Sequence, residues 1–399
     1  MKLSITAVTS LALILFLSRT GISDDAPPSK TILNLPERPL NYEAPELPDH
    51  FRTPFVLRLD NTPDDNPTTD EGATLGRVLF YDRRFSKDGS ISCASCHSQK
   101  HGFSNPDRFS KGVGGALGDR NSMPLVNVRF VENGKFFWDE RAKTLESQVL
   151  QPIENPREMA HQVDRVVETA RRDPAYAPLF RQAFGDEAVN ADRVARALAQ
   201  FVRSIVSYQS KFDEGMAKVG QIREDFPNFT KAENLGKKIF LGDHDRSSRG
   251  NCATCHLRNY AFFREENKAV QSALFVPDRL LNNGLDDELA TSDNGVGDLT
   301  LNARDYGLFK VPDLRNIELT APYMHDGRFK TLEEVVEHYN TGVKRHPNLD
   351  PQLIGGRGRR GPRLMNLDAE EKAALVAFLK TLTDHKLVSD PKYSDPFTR

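Results

Sequence analysis

A mainly α chain built from two related units is what this sequence predicts, on three observations. All four cysteines of its 399 residues fall in two copies of one five-residue pattern, Cys93-Ala94-Ser95-Cys96-His97 and Cys252-Ala253-Thr254-Cys255-His256. Each copy follows a similar apolar segment: Leu75-Gly76-Arg77-Val78-Leu79-Phe80 begins 18 residues before its first cysteine, and Leu235-Gly236-Lys237-Lys238-Ile239-Phe240 begins 17 before. A repeated segment leading into a repeated motif implies internal duplication. Finally, strand signals are scarce, while helical periodicity recurs between and after the motifs.

The elements follow in chain order. Residues 1–23 read as a secretory signal: Lys2 supplies the positive start, Ile5 to Leu17 the apolar core, and Gly21-Ile22-Ser23 a small-residue cleavage site. That apolar run is short for a membrane span, so an exported chain with no span after cleavage is expected. Residues 24–70 carry Pro27, Pro28, Pro36, Pro39, Pro45 and Pro48 and read as extended chain that wraps the surface rather than forming a core. An N-terminal unit over 71–212 and a C-terminal unit over 213–399 are expected. Helices are predicted at both repeated segments, at 192–208 behind an Asp192 cap, at 331–340 with Thr331 and Glu334 at capping-box spacing, and at 368–382 behind Asp368 and Glu371. The stretches 97–135 and 277–312, rich in glycine and asparagine, are long loops for a compact domain, a length that goes with function. With 54 basic against 56 acidic residues, neither nucleic acid nor an anionic membrane is indicated as a partner.

C-x-x-C-H is the c-type haem attachment motif. Its two thiols add across the haem vinyl groups, and the adjacent histidine ligates the iron from one face. A zinc knuckle would bring its second ligand pair within a few tens of residues, whereas Cys93 and Cys252 lie 159 apart. A redox C-x-x-C would have no use for His97 and His256. The reading is two covalent c-type haems, one on Cys93, Cys96 and His97, the other on Cys252, Cys255 and His256. Two cytochrome-c-like domains related by duplication are therefore expected. Haem attachment happens outside the bacterial cytoplasm, which agrees with an exported, periplasmic chain.

What fills the sixth iron position separates haem proteins from one another. After the first motif the candidates are few: His101, close behind His97 and so placed on its side, and Met123, which precedes Pro124 and reads as packing. An unfilled sixth position follows for the first haem, and an open ferric haem binds small molecules such as hydrogen peroxide. Beyond lie Phe136-Phe137-Trp138-Asp139-Glu140-Arg141, then Gln148, Pro152 and Glu158. Taken alone, Trp138 would read as a core aromatic and Glu158 as a solvated helix charge.

From about residue 70 to 385 the chain resembles the bacterial di-haem cytochrome c peroxidases, and within them the MauG-like branch. The family's F-W-D-G-R, L-E-x-Q and N-P-x-E-M signatures are matched by Phe137 to Arg141, by Leu145-Glu146-Ser147-Gln148 and by Asn155-Pro156-Arg157-Glu158-Met159. Glu140 stands where the family usually has glycine, a departure expected to perturb the local turn. The resemblance implies that Trp138 lies between the haems as a stepping stone for electrons. It also implies that Glu158 is the distal acid over the first haem, with Gln148 and Pro152 as neighbours. Splitting the peroxide O–O bond heterolytically needs a proton moved from one oxygen to the other, work suited to a carboxyl with a raised pKa in a dry pocket.

Ordinary members carry a histidine ahead of an R-N-S segment, and it blocks the first haem until reductive activation. Here the segment is Arg120-Asn121-Ser122 and the matching position is Val113, which cannot ligate iron. Thr320 to Gly327 resembles the family's T-x-P-Y-x-H-D-G. Fourteen residues past His325, where ordinary members place a methionine as sixth ligand of the second haem, stands Tyr339. Met324, His325, His338 and Met365 compete for that place, and His338 lies about 100° around the helix from Tyr339, so both cannot face the iron. A hard phenolate lowers the haem potential, where a thioether raises it. The resemblance further implies a calcium ion held by Asn121, Thr320 and Pro322, one amide oxygen and two backbone carbonyls that suit a hard cation.

The function expected is that of a periplasmic peroxidase. Hydrogen peroxide reacts at an open N-terminal haem, and a redox protein partner or protein substrate is oxidised through the second. Two alternatives stay open. One is an ordinary peroxidase fed by a small cytochrome or cupredoxin, with Met324 or Met365 as ligand. The other is a plain electron-transfer cytochrome with a hidden ligand such as His101 on the first haem.

Overall fold

The computed structural model describes residues 32–219, 221–243, 249–257, 274–277, 279–287, 293–355 and 361–398. The expected signal at 1–23 and parts of the 277–312 loop lie outside them. The longer helices are α1 (Asp70–Tyr81), α2 (Val163–Arg172), α3 (Tyr176–Phe184), α4 (Ala191–Ser204), α5 (Lys211–Val219), α6 (Lys231–Leu241), α7 (Leu332–Glu337) and α8 (Ala369–Lys380). Local chemistry starts most of them. Thr230 with Glu233, Thr331 with Glu334 and Asp368 with Glu371 close capping boxes at the N-termini of α6, α7 and α8. Among the described residues, strand is confined to a two-residue antiparallel pair, Leu280–Leu281 with Phe309–Lys310.

Two boundaries differ from expectation. The cap of α4 is Asn190, whose side chain accepts from the Arg193 N–H, while Asp192 pairs with Arg196 one turn on. That helix stops at Ser204 rather than 208, because Asn127 claims the backbone beyond it: the Asn127 N–H donates to the Ile205 carbonyl and its side-chain oxygen accepts from the Ser207 N–H, both at 2.9 Å. The apolar run at 331–340 continues past α7 as a single π-helical turn, His338–Gly342, the kind of irregularity often found at functional sites.

Duplication is built into the packing. Gly76 of α1 lies against the Ala197 carbonyl of α4, where an added Cβ would sit 2.0 Å from the oxygen, with Phe201 next to it. Gly236 of α6 repeats this against Ala374 of α8, at 1.9 Å, with Phe378 next to it. The glycine of each repeated segment is therefore a helix crossing point that no larger residue fits. Around the first crossing gathers a core that includes Leu75, Leu79, Phe80, Val194, Leu198 and Phe201. A second core around the other crossing includes Phe212, Ile239, Phe240, Leu375 and Phe378.

The proline-rich segment does more than wrap. Tyr42, Phe51, Phe55, Val56 and Leu59 are buried in the first core, and Leu387 and Tyr393 of the C-terminal tail join them. Helical turns at Asp49–Phe51 and Pro54–Leu57 interrupt the expected extended chain, and proline spacing says nothing of aromatics delivered onto another element's surface. Among the described residues no helix is long and apolar enough to cross a membrane.

Replacing either crossing glycine tests the duplicated packing. Gly76→Ala and Gly236→Ala are each expected to lower unfolding free energy by about 1–3 kcal/mol, the usual cost of overpacking. Gly118→Ala, whose methyl would meet its nearest atom only at 3.8 Å, should change it little. Denaturant unfolding of the three variants checks this.

Candidate haem sites and the wall between them

The first motif forms a short helix, Cys93–Cys96. Behind it Gly102 and Phe103 both take positive φ (62° and 58°), and this turn brings the Phe103 carbonyl 3.1 Å from His97 Nδ1. Burial pushes the imidazole down to about 4, against the Phe103 and Met123 carbonyls. The ring is thus neutral, with Nδ1 anchored to backbone and Nε2 left as a donor for iron. Cys96 and His97 line a cavity of about 580 Å³, together with Gln148, Pro152 and Glu158.

Glu158 sits in the turn after Asn155, whose amide donates to its carboxylate at 2.6 Å. Burial raises the Glu158 carboxyl above its ordinary value, outweighing the Asn155 bond and the charge of Arg141. The Val113 N–H donates to the Glu158 carbonyl at 2.9 Å. Gly112 packs so closely on Arg157 that a Cβ would come within 2.1 Å of its carbonyl oxygen. Gly112 lines the cavity; the Val113 side chain does not. Nor does His101, whose Nδ1 lies 3.3 Å from Ser98 Oγ. Met123 borders the cavity, with its carbonyl on the side of His97.

The second cavity, about 190 Å³, is lined by Cys252, Cys255, His256, Tyr339, Met324, His325 and Met365. His256 Nδ1 is buried without a hydrogen-bond partner; the Pro312 carbonyl acts on the ring without closing a bond. Burial pushes Tyr339 up to about 12, against the Asn283 amide that favours the phenolate. The phenol therefore keeps its proton unless a cation faces it. His338 is turned elsewhere, its Nε2 3.1 Å from the Asn283 carbonyl, and it does not line the cavity. Asn283 itself escaped the sequence reading: its amide nitrogen lies 3.3 Å from the Tyr339 hydroxyl and 3.5 Å from Met324 Sδ. The only hint was its place in the asparagine-rich loop.

Trp138 borders both cavities, as do Asn121, Pro124 and the segment Lys310-Val311-Pro312-Asp313. Its indole N–H donates to the Asn121 carbonyl at 2.8 Å. Asp313 was another omission. Burial pushes its carboxyl up to about 7, opposed by Arg315 and by Asn127, whose amide donates to it at 3.2 Å. Asn121, Thr320 and Pro322 all line the second cavity.

The Glu140 departure has a clear outcome. The chain doubles back between Phe136 and Ala142, and Glu140 takes φ 56°, a left-handed conformation that suits glycine and costs another residue about 1–2 kcal/mol. The turn closes with glutamate at that position, its backbone in the left-handed region. The Glu140 carboxylate accepts from the Asn133 amide at 3.0 Å and pairs with Lys310 at 3.5 Å.

The donor sets fit two c-type haems: the first cavity meets Cys96 and His97, with Cys93 in the same short helix, and the second meets Cys252, Cys255 and His256. Comparison with known proteins agrees. The family model for di-haem cytochrome c peroxidase matches residues 70–220. Methylamine utilization protein MauG of Methylorubrum extorquens is 34% identical over 325 residues, 80% of this chain and 80% of that protein. Cytochrome c551 peroxidase of Nitrosomonas europaea is 34% identical over 321 residues, 79% of this chain and 81% of that protein. The crystal structure of a MauG-like protein associated with microbial copper homeostasis is 31% identical, covers 90% of this chain and 99% of its own, and superposes with a TM-score of 0.70. The chain belongs to the di-haem cytochrome c peroxidase family. It is a peroxidase, and two c-type haems are its cofactors.

The burial of Glu158 can be tested by its effect on stability. A carboxyl whose folded pKa is raised costs stability once the pH exceeds its unfolded value, about 4.3. Glu158→Gln should therefore withstand more denaturant than the parent at pH 7, with the gain gone by about pH 4. An equal difference at both pH values would count against a buried carboxyl.

Proposed function

We propose that this chain is a periplasmic peroxidase of the MauG-like type, in which peroxide reacts in the first cavity and oxidising equivalents pass through Trp138 to the second. On this reading the N-terminal unit, 71–212, is peroxidatic, and the C-terminal unit, 213–399, exchanges electrons with a redox partner or protein substrate at the surface. One observation carries it: the position that would block the first haem is held by Val113, bonded through its backbone to the Glu158 turn, with its side chain outside the cavity.

When bound, the haems supply the redox-active iron at which peroxide is reduced. The protein manages the rest. Glu158, its carboxyl raised above its ordinary value by burial, holds and moves the proton that one peroxide oxygen loses and the other gains. Gln148 and Pro152 confine the substrate beside it. Tyr339, whose phenolate the Asn283 amide favours, would be the residue that holds the second iron from the cavity side. We also infer a calcium ion at Asn121, Thr320 and Pro322. The Asn121 amide nitrogen donates to the Asp107 and Arg108 carbonyls, which leaves its oxygen as the group able to face a cation.

EPR of the ferric protein tests this. One high-spin signal beside one low-spin signal is expected, and peroxide should remove both. Two low-spin signals would overturn an open first haem. Glu158→Gln should slow peroxide consumption about 10²- to 10⁴-fold, the usual share of a positioned acid–base group. Trp138→Phe should slow electron exchange between the haems while leaving both attached.

A second reading has its own support. Met324 stands beside Tyr339 on the shared Asn283 amide, so a methionine ligand, as in ordinary members, lies within the same wall. If Met324→Leu rather than Tyr339→Phe alters the low-spin signal, that reading replaces the first.

A further inference from the structure

Tyr339 sits between two neighbours that are each tied to a different part of the chain. Asn340 on one side is buried; its side-chain oxygen accepts from the Leu367 N–H at 2.8 Å and its carbonyl from the Met365 N–H at 3.0 Å. His338 on the other side turns its ring to the Asn283 carbonyl at 3.1 Å, with Phe329 packed against it at 5.5 Å. The side chain of that same Asn283 reaches back to the Tyr339 hydroxyl at 3.3 Å. One residue therefore meets two consecutive side chains of the π turn, the first with its backbone and the second with its amide.

Asn283 is itself held in place. The Gly284 N–H donates to the Asn282 side-chain oxygen at 2.8 Å. The Lys344 N–H donates to the Gly284 carbonyl at 2.8 Å, and the Asp350 N–H to the Asn282 carbonyl at 3.0 Å. Gly284, at φ 68°, lies so close to Val343 that an added Cβ would come within 2.6 Å of its side chain. Chemistry also settles which end of the Asn283 amide faces the phenol. Met324 Sδ lies 3.5 Å from the same amide atom, and a thioether can only accept a hydrogen bond. That atom is the nitrogen, so the Tyr339 oxygen is offered an N–H.

A donor at this place has a definite electronic effect. A phenolate lowers the potential of the haem it holds, because it pushes negative charge onto the iron. An N–H aimed at the phenolate oxygen draws part of that charge back. Such a bond to a charged acceptor is about twice as strong as one to a neutral acceptor, and a poorly solvated cavity strengthens it further. Groups that contact a ligand rather than the metal tune a metal site in this way.

We propose that Asn283 is a positioning residue for the second haem, anchored by His338 and donating to Tyr339 so that the phenolate lowers the haem potential less than it would alone. The proposal rests on Tyr339 as the ligand from the cavity side. Asn283 carries no proton and no electron, and no covalent bond changes there. Its N–H moderates a strong ligand, which keeps the second haem within reach of a reducing partner.

Redox titration of the two-haem protein, followed through the low-spin EPR signal, reads the second haem directly. Asn283→Leu is expected to lower its midpoint potential by the equivalent of about a tenfold change in the reduction equilibrium, the share of one hydrogen bond to a charged group. Asn283→Gln keeps an N–H donor and should stay closer to the parent. His338→Phe keeps the amide but frees its backbone anchor, and should lower the potential by less. If Asn283→Leu fails to load haem, Asn283→Val, smaller and equally without a donor, decides by the sign of its shift. An unmoved or raised potential in the donorless variant would overturn the proposal. So would a shift of the same size when Asn283→Leu is placed on Tyr339→Phe, because the effect must pass through the phenolate. Tyr339→Phe alone separates the two readings. If it alters the low-spin signal while Asn283→Leu leaves the potential unmoved, only the Asn283 role fails; if it leaves that signal as in the parent, both fail.

Discussion

The wall between the two cavities hangs on the 2.8 Å hydrogen bond from the Trp138 indole to the Asn121 carbonyl. The Asn121 N–H in turn donates to the His325 carbonyl at 2.7 Å, and the Lys310 N–H donates to the Trp138 carbonyl at 2.8 Å. Four segments, two from each half of the sequence, are thereby laced together. His325 adds a ring stacked on Phe309 at 3.7 Å and set edge-on to Trp138 at 6.4 Å. Each such bond contributes only about 1 kcal/mol net, but leaving a buried partner unmatched costs about 1–3 kcal/mol. The segments therefore keep their places together. The stepping-stone role proposed for Trp138 would need that fixity, because it depends on holding one position relative to both cavities.

The two units are locked behind this wall by a buried charge cluster. Asp213 accepts from Arg315 at 2.6 Å and faces His50 Nε2 at 2.8 Å, while the Ser210 hydroxyl and N–H donate to it as well. Burial alone would raise this carboxyl, yet Arg315 and His50 hold it well below the carboxylate range. His50 comes from the proline-rich segment, Asp213 from α5, and Arg315 from the chain that follows the shared wall. The guanidinium is ringed by Phe51, Phe212 and Phe275 at 5.4–5.6 Å. Removing one member would strand a buried charge, a far larger cost than the pair's net worth. This cluster explains why the segment before α1 is ordered although its composition suggests a loose wrapper.

Much of this was legible because its causes are local. A capping box is written in four residues, so α7 and α8 could be placed from Thr331 and Asp368, while α6 was placed from its repeated segment and its box at Thr230 went unread. The thiol pairs, His97 and His256 sit in a motif whose spacing has a chemical reason, whereas Glu158, Trp138 and Tyr339 were legible only through the family resemblance. What could not be read is set by distant partners. Nothing near Ser204 announces that Asn127 will end α4 there. Asn283, Lys310 and Asp313 reach the site through the pairing of Leu280–Leu281 with Phe309–Lys310, strands too short to leave a period-two pattern. Glu140 was visible as a departure, but its pairing depended on a lysine 170 positions away.

The scaffold repeats itself more faithfully than the chemistry does. Beyond the glycine crossings, Phe103 and Phe275 share φ 58°, and Asn127 and Asn316 share left-handed positions at 59° and 61°, each opening a 3₁₀ turn. Symmetry breaks at whatever the chain folds back over each cavity. Over the first it returns a turn ending in a carboxyl; over the second, a helix that loosens into a π turn and presents a phenol. Burial acts on both, and in each case it favours the protonated group. A protonated carboxyl is still acidic enough to pass its proton to a peroxide oxygen. A phenol pushed up to about 12 gives its proton up only to a stronger claimant, and a metal cation is one. On the proposed function, the same burial suits one group to moving protons and the other to ligation.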